Sequence, residues 1–266
     1  MMAHGFAPIA RLFGDDKLAE DSLAFSRKLL AATTRTFWRE SDGVFVDNLP
    51  WLAEEKIERF CDRTLAMAVL YGQCPGGRIQ RSIELLATAP REMGLSYPCN
   101  AHWRLWALTA GGRTDAVLNI LRQQWATMKS VSENNTISEH WNPPMDSIQQ
   151  WSHAAVGPLY VAAMCLAGIR PLQPGFVHYE IRPQLGDLPD LALEIQTPKG
   201  PIGFQANGPL GQRELKLDLP FGLDGELVLP AKEAPALTLV GEDIRAGTRR
   251  WRLPAGTTVR VGLAHC

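Results

Sequence analysis

The chain has 266 residues, a formal net charge of -1 and 45% hydrophobic residues. This length suits one large domain or two ordinary ones, and the composition is typical of a soluble globular protein with its own core. The near-neutral charge disfavours nucleic acid or a membrane surface as a partner, because both attract a basic excess. The sequence also lacks an apolar run of about 18 residues, the length that a membrane-spanning helix needs.

Five cysteines are spread along the chain, at positions 61, 74, 99, 165 and 266. Their number is odd and no two stand at C-x-x-C spacing, so neither a structural zinc site nor a disulfide framework is predicted. No metal or cofactor is expected. The start of the sequence, MMAHGFAPIARLF, has no basic segment before a long apolar stretch, which favours a cytoplasmic location. Cys61 and Cys165 are interpreted as small core residues.

Apolar residues recur at helical spacing up to about residue 170. Asp15 and Asp16 mark the beginning of a long helix, and residues 3–13 form a shorter one before it. Pro158 is expected to kink the last helix or to delay its regular part. Five further helices are predicted, at 57–72, 77–90, 100–112, 114–130 and 149–168. The long connections between helices, 39–56 and 131–148, are predicted to build the binding surface.

After Pro174 the apolar residues alternate with a period of two, and Gly and Pro separate the segments. Strands are predicted at 176–183, 191–198, 201–208, 212–220, 225–230, 236–241, 249–254 and 257–264. Several short strands at this spacing are typical of an antiparallel β-sandwich. The sequence therefore predicts an α+β protein with a helical domain at 1–170 and a β-sandwich domain at 171–266.

The connection between the last two helices reads ENNTISEHWNPPMDSIQQWSHAAVG (133–157) and is unusually rich in acid, indole and imidazole. Glu139 is a candidate functional carboxylate beside an indole, with a solvated loop carboxylate as the alternative. Trp141 either lines a pocket or packs in the core. His153 is a candidate functional imidazole that can donate and accept hydrogen bonds, and a core histidine is the alternative. For Trp151 we expect core packing.

Other polar groups are weighed against plainer interpretations. Trp103 stands three residues before Trp106 on a predicted helix, a spacing that favours a core stripe over a binding surface. Asp62 belongs to a charge cluster on another predicted helix, which is usually a solvated face. The metal-binding residue types at 99, 102, 140 and 153 match no standard ligand spacing.

Three segments resemble the C-terminal region of bacterial α-L-rhamnosidases, glycoside hydrolase family 78. They read SENNTISEHW, QWSHAAVGPLY and AGIRPLQPGFVHYEIRPQLGDLPDLALEIQTPKGPI. The resemblance covers nearly the whole chain and is most specific over residues 133–183. It implies an (α/α)6 toroid, an inverting mechanism and release of a terminal α-L-rhamnose, so the expected ligand is a rhamnose-containing saccharide. It also implies that Glu139 is the general base and that His153 contacts the sugar, with Trp141 and Trp103 as further substrate-binding residues.

The six to seven predicted helices make only a partial toroid. The resemblance implies that the general acid lies in a stretch preceding residue 1, so this sequence corresponds to the latter half of the toroid plus the sandwich. If the chain were active alone, Asp47, Glu54 or Glu55 would have to supply the acid, and the family does not place it there. Self-association, or a second chain supplying the missing half-barrel, is expected. A catalytically inactive fragment or a carbohydrate-binding module of the same family is the alternative.

Overall fold

The computed structural model describes residues 2–47, 59–144, 146–230, 233–235, 241–245 and 248–265. The chain divides into two compact units, Met1–Gly111 and Gly112–Cys266. Helices give way to strands between Leu166 and Ile169. The domain boundary expected near residue 170 stays a prediction. Within the described part of the chain, no helix combines the length and the apolarity needed to cross a membrane.

The first unit contains five helices among its described residues. They are α1 (Met2–Leu12), α2 (Asp16–Phe37), α3 (Asp62–Leu70), α4 (Ile79–Thr88) and α5 (Pro98–Ala110). Helix α2 begins where the sequence predicts, because the Asp15 carboxylate accepts a hydrogen bond from the Leu18 N–H at 2.9 Å. Helix α1 packs against α2, and α3 packs against α4 and α5. The core of the unit includes Leu65, Leu86, Leu105 and Leu108.

Two pairs of very short strands accompany these helices. They are the antiparallel pair β1 (Trp38–Arg39) and β2 (Val44–Phe45), and the parallel pair β3 (Phe60–Cys61) and β4 (Met93–Gly94). The helix predicted over 57–72 begins only at Asp62, because the two residues before it pair with β4. Residues 57 and 58 lie outside the described part of the chain.

The helices of the second unit are shorter than the sequence predicts. They are α6 (Thr114–Ile120), α7 (Lys129–Asn134) and α8 (Gly157–Tyr160). Helices α6 and α8 continue as π-helical turns over Leu121–Trp125 and Val161–Leu166. The predicted helix 114–130 thus breaks before α7, which occupies part of the expected loop 131–148. Pro158 sits in the first turn of α8, so it delays the helix, which is one of the two expected outcomes.

Two five-stranded sheets form the rest of the second unit, with strand orders β12-β13-β10-β6-β5 and β11-β14-β9-β8-β7. The bounds are β5 (Ile169–Pro171), β6 (His178–Ile181), β7 (Asp190–Ile195), β8 (Ile202–Asn207), β9 (Gln212–Asp218), β10 (Asp224–Pro230), β11 (Glu233–Pro235), β12 (Gly241–Arg245), β13 (Thr248–Leu253) and β14 (Thr258–His265). The fold class expected from the sequence, helices followed by a β-sandwich, is confirmed. Most of the strand predicted at 236–241 lies outside the described residues.

One detail of the predicted antiparallel sandwich is wrong, because β6 and β10 pair in parallel. The chain leaves the first sheet after β6 and builds β7, β8 and β9 in the second sheet. It then returns beside β6 in the same direction. This crossover depends on long-range pairing, which the period-two alternation of a single strand does not encode.

Alternation along the strands gives each sheet one buried face. In β8, Ile202, Phe204 and Ala206 are buried while Gln205 and Asn207 between and after them are exposed. Such alternation is expected where two sheets pack face to face.

The first sheet also carries a partly buried ionic cluster. The Glu180 carboxylate is 6% exposed as a residue and lies 3.2 Å from the Arg170 guanidinium and 3.0 Å from that of Arg182. A carboxylate this deeply buried depends on its cationic partners.

Candidate active site

The loop that carries Glu139 is held closed by backbone hydrogen bonds between its two sides. The Glu139 N–H donates to the Gln149 carbonyl at 2.9 Å, and the Ser152 N–H donates to the Ile137 carbonyl at 3.0 Å. Residues 137–139 therefore lie beside residues 149–152. This pairing places the backbone of Glu139 next to the segment that leads directly into His153.

Side chains from within the loop reinforce this closure. Gln150 is 5% exposed, accepts from the Asn134 amide at 2.5 Å and donates to the Pro144 carbonyl at 3.2 Å. Ser138 is fully buried, and its hydroxyl donates to the His140 carbonyl at 2.7 Å. Sequence reasoning did not single out Gln150 or Ser138. Their hydrogen-bond partners come close only when the loop is closed, so no pattern in the sequence points to Gln150 or Ser138.

Trp141 anchors the loop to the helical part of the same unit. Its ring meets that of Trp125 edge to face, with centroids 5.2 Å apart and planes at 81°. Trp125 lies on the π-helical turn after α6 and is 4% exposed, whereas Trp141 is half-buried. Trp141 therefore packs on one side and keeps part of its indole at the surface, which combines the two interpretations left open by the sequence.

The expectation of core packing for Trp151 is wrong, because its side chain is 61% exposed. Trp151 directly follows the 3-10 helix Ile148–Gln150, and its own backbone is extended (φ -138°, ψ 147°). The change of backbone conformation at this point separates the buried side chain of Gln150 from the exposed side chain of Trp151.

Glu139 and His153 both have exposed side chains, and His140 between Glu139 and Trp141 is half-buried. The interpretation of His153 as a core histidine is therefore wrong. The closed loop thus carries a carboxylate, an imidazole and two indoles that are at least partly accessible.

Trp103 lies on α5 in the first unit, whereas Glu139, Trp141 and His153 belong to the second unit. Its indole is half-buried and stacks on that of Trp106, with centroids 5.6 Å apart and planes at 23°. The centroid of the His102 ring lies 4.8 Å from that of Trp103. Burial lowers the pKa of His102. Trp103 is thus part of an aromatic stripe along α5, as its spacing from Trp106 indicates.

The description of Asp62 as part of a solvated face is wrong, because this residue is 1% exposed. Its carboxylate accepts hydrogen bonds from the Ser96 N–H at 3.0 Å and the Ser96 hydroxyl at 2.6 Å. Arg104, 5% exposed, donates through Nε to the Leu86 carbonyl at 2.8 Å, and burial lowers its pKa against the opposing effect of the Asp62 charge. Asp62 has a structural role here, since it receives donors from its own unit.

Of the three carboxylates weighed as an alternative acid, Asp47 is exposed and accepts a long hydrogen bond, 3.4 Å, from the Thr64 hydroxyl. Glu54 and Glu55 lie outside the described residues.

Comparison with known proteins gives consistent results. Residues 168–242 match the family model for the bacterial alpha-L-rhamnosidase C-terminal domain. A search of the curated proteins found no match.

Among solved structures, the GH78 family rhamnosidase of Bacillus sp. GL1 aligns with 85% of this chain at 19% identity and a TM-score of 0.70. The Streptomyces avermitilis alpha-L-rhamnosidase in complex with L-rhamnose aligns with 98% at 18% identity and a TM-score of 0.72. The Aspergillus terreus alpha-L-rhamnosidase aligns with 98% at 17% identity and a TM-score of 0.66. This chain spans 24%, 26% and 28% of those chains, respectively.

The resemblance inferred from three sequence segments is thereby confirmed. The chain has the fold of the corresponding part of glycoside hydrolase family 78 α-L-rhamnosidases, and its residues 168–242 match the C-terminal domain of the bacterial family.

Proposed function

We propose that this chain contributes to the inverting hydrolysis of terminal α-L-rhamnose from a rhamnose-containing saccharide or glycoside, with Glu139 as the general base. The observation that supports it most is the fold shared over 98% of this chain with the Streptomyces avermitilis rhamnosidase, whose solved structure holds L-rhamnose. The closed loop supports it further, because backbone hydrogen bonds fix Glu139 on a surface that also carries an imidazole and indoles.

Inverting hydrolysis needs two carboxyl groups on opposite sides of the sugar, about 6.5–9.5 Å apart. The carboxylate of Glu139 takes a proton from water, and the water oxygen attacks the anomeric carbon on the face opposite the leaving group. A second carboxyl protonates the glycosidic oxygen as its bond to the anomeric carbon breaks. We propose that this acid comes from polypeptide outside the present chain, as the family resemblance implies.

Substrate binding is proposed for Trp141, His153 and Trp103. The accessible part of the Trp141 indole offers an apolar surface for ring C–H groups and for the methyl group of rhamnose. The exposed His153 imidazole is available to donate to one sugar hydroxyl and accept from another. For the first unit taken by itself, Trp103 on α5 is proposed to contact a sugar through its half-buried indole, which stacks on that of Trp106.

The first unit has an apolar surface that we propose is covered by further protein, either a second copy or a chain that supplies the remaining helices of the toroid. In the 22-residue helix α2 only Ala19 is buried. Exposed large apolar side chains of α1, α2 and the turn between them are Phe6, Ile9, Leu12, Phe13, Leu18, Phe25 and Leu29. Exposed apolar side chains in this number on two neighbouring helices favour a protein–protein contact.

The stereochemistry of the product tests the proposed mechanism. This chain, with the missing half of the toroid restored, is incubated with an aryl α-L-rhamnoside, and the first-formed anomer is followed by proton NMR. We expect β-L-rhamnose to appear first. With Glu139→Ala, azide should restore consumption of the substrate and yield a β-rhamnosyl azide, because the small anion attacks without needing a base. First appearance of α-L-rhamnose would contradict inversion.

A second candidate function is saccharide binding without hydrolysis. It is motivated by the length of the chain, which spans between 24% and 30% of the rhamnosidases to which it is similar. Titration calorimetry with L-rhamnose, run beside a chromogenic hydrolysis assay, separates the two functions. Heat of binding without release of the chromophore would favour this second function.

A further inference from the structure

A cleft in the β-sandwich lies apart in sequence from the Glu139 loop. It has a volume of about 480 Å³ and is formed by three turns, the ones between β7 and β8, between β9 and β10, and between β13 and β14. Strand register places these turns at the same end of one sheet, since Gly203 pairs with Asp218 and Asp218 pairs with Thr258. We propose that this cleft is a second saccharide-binding site, which takes a neutral sugar against the ring of Phe221.

Phe221 is held as an aromatic platform. Its side chain is 77% exposed, yet its ring lies directly over the backbone of Gly256. A Cβ atom at Gly256 would lie 2.1 Å from two carbons of the ring, so a side chain at this position would displace the ring. Gly256 also has a φ of +68°, which glycine adopts readily. The Phe221 ring thus lies close to the backbone of Gly256 and remains exposed to solvent.

The turns around Phe221 are fixed before any ligand binds. The Leu219 N–H donates to the Thr257 carbonyl at 3.0 Å, and the Gly256 N–H donates to the Pro220 carbonyl at 3.1 Å. These two bonds tie the turn that carries Phe221 to the turn that supports it. In the third turn the Thr197 hydroxyl donates to the Gly200 carbonyl. A rigid site loses less conformational entropy on binding, which favours recognition of a small ligand.

The polar groups of the cleft identify the class of ligand. Asp218 accepts a hydrogen bond from the Thr258 hydroxyl at 2.6 Å and lies 3.2 Å from the Lys216 ammonium. Both contacts lower the pKa of Asp218, so its carboxylate stays charged at neutral pH. Lys199 and Thr257 add an ammonium and a hydroxyl at the rim.

A charged carboxylate in the lining disfavours an anionic ligand, and the polar rim disfavours a lipid. Sugar hydroxyls both donate and accept hydrogen bonds, so they suit a mixture of carboxylate, ammonium and hydroxyl groups. The apolar face of a pyranose packs well on an aromatic ring such as that of Phe221. A volume of about 480 Å³ falls in the range of small-molecule sites, about 300–1,000 Å³.

The test uses the protein as expressed, labelled with nitrogen-15, and three neutral probes: L-rhamnose, D-galactose and maltotriose. We expect at least one probe to cause saturable shifts of the amide signals of residues 199, 200, 219, 221, 222 and 256–258. Phe221→Ala should weaken that binding about tenfold, because the stacked aromatic surface is lost. Phe221→Trp should keep or strengthen it.

Leu210→Ala is the matched control, since Leu210 is also an apolar side chain on a sandwich turn and is 59% exposed. It should leave binding unchanged. The proposal is overturned if none of the three sugars shifts these signals, if Phe221→Ala binds as tightly as the parent protein, or if inorganic phosphate produces the same shifts.

The outcome is separable from that of the proposed hydrolysis. Glu139→Gln should leave the sugar-induced shifts at Phe221 intact, and Phe221→Ala should leave turnover of a small aryl rhamnoside intact. A negative result for the sugar site at Phe221 therefore leaves the proposed role of Glu139 untouched, and the reverse also holds.

Discussion

Gly168 joins the last helical turn to the first strand of the sandwich, and its substitution tests the described packing at that junction. Its φ is +69°, and a Cβ atom there would lie 1.9 Å from the carbonyl oxygen of Arg182. Two backbone hydrogen bonds surround this contact: the Arg182 N–H donates to the Gly168 carbonyl at 3.0 Å, and the Gln184 N–H donates to the Leu166 carbonyl at 2.8 Å. The methyl group of Gly168→Ala can therefore fit only if the backbone shifts, because the atoms that it meets belong to the backbone of Arg182.

The cost has two parts. A residue other than glycine at positive φ costs about 1–2 kcal/mol. Separating the two strands at this point loses up to two hydrogen bonds, at about 1 kcal/mol each. We therefore expect Gly168→Ala to lower the free energy of unfolding by about 3–4 kcal/mol, against about 1 kcal/mol for a glycine that has the same backbone conformation and open space.

Gly175→Ala provides that control, because Gly175 has a φ of +70° and no atom within 4 Å of the added Cβ. Urea unfolding followed by circular dichroism gives both values under identical conditions. The difference between the two variants isolates the steric contact with Arg182. If Gly168→Ala destabilises the protein no more than Gly175→Ala, the described junction between helix and sandwich is wrong.

Three further predictions concern the ionic cluster, the core tyrosine and the apolar helix surface. Glu180→Ala should lower the free energy of unfolding by about 3 kcal/mol, because it leaves two partly buried arginines without their carboxylate; urea unfolding measures this, and a change under about 0.5 kcal/mol would contradict it. Burial raises the pKa of Tyr179 to about 12. Since the folded state holds the proton more tightly than the unfolded state, the stabilisation is present below about pH 10 and is lost as the pH rises towards 12. Ultraviolet titration of the tyrosinate should show one late-ionising phenol, and full ionisation of all four tyrosines by about pH 11 in the folded protein would argue against the buried position. Phe25→Ser should reduce self-association in light scattering relative to Lys28→Ser, its exposed neighbour on α2, whereas equal behaviour of the two variants would remove the apolar surface of α2 from any contact between copies.

The sequence predicts most helices and strands because their limits depend on local chemistry. Asp15 begins α2 through its own side chain, and Pro158 sets the beginning of α8 by occupying its first turn. In β8 the alternation of buried and exposed residues can be read directly from IGFQAN. These features involve residues within about four positions of each other, so a window of sequence contains all the information that they need.

Features that depend on distant partners escaped this reasoning. Asp62 is buried because Ser96, 34 positions later, donates two hydrogen bonds to it. Gln150, next to the exposed Trp151, is buried because it accepts a hydrogen bond from Asn134 on the opposite side of the loop. The parallel pairing of β6 with β10 likewise joins strands between which the chain builds three strands of the other sheet. From residue type alone, Asp62 is predicted to be a solvated acid and Trp151 a core residue. The alternation of apolar residues gives no sign that β6 and β10 pair in parallel.

The candidate site divides in the same way. The acid, imidazole and indole of the segment 133–157 were visible in the sequence, and the family resemblance supplied their expected roles. The hydrogen bonds that close the loop, between residues 137–139 and 149–152, required coordinates.

The most direct test of the account is the turnover of an aryl α-L-rhamnoside by Glu139→Gln, measured in a protein that joins this chain to the polypeptide supplying the missing half of the toroid. Glu133→Gln is the matched control, since Glu133 is an exposed carboxylate on α7 of the same unit and pairs at 3.6 Å with Lys129. We expect Glu139→Gln to lower kcat by about 100- to 10,000-fold, the contribution of a general base, while Glu133→Gln retains parental turnover. Equal turnover of the two variants would show that Glu139 does not activate the water.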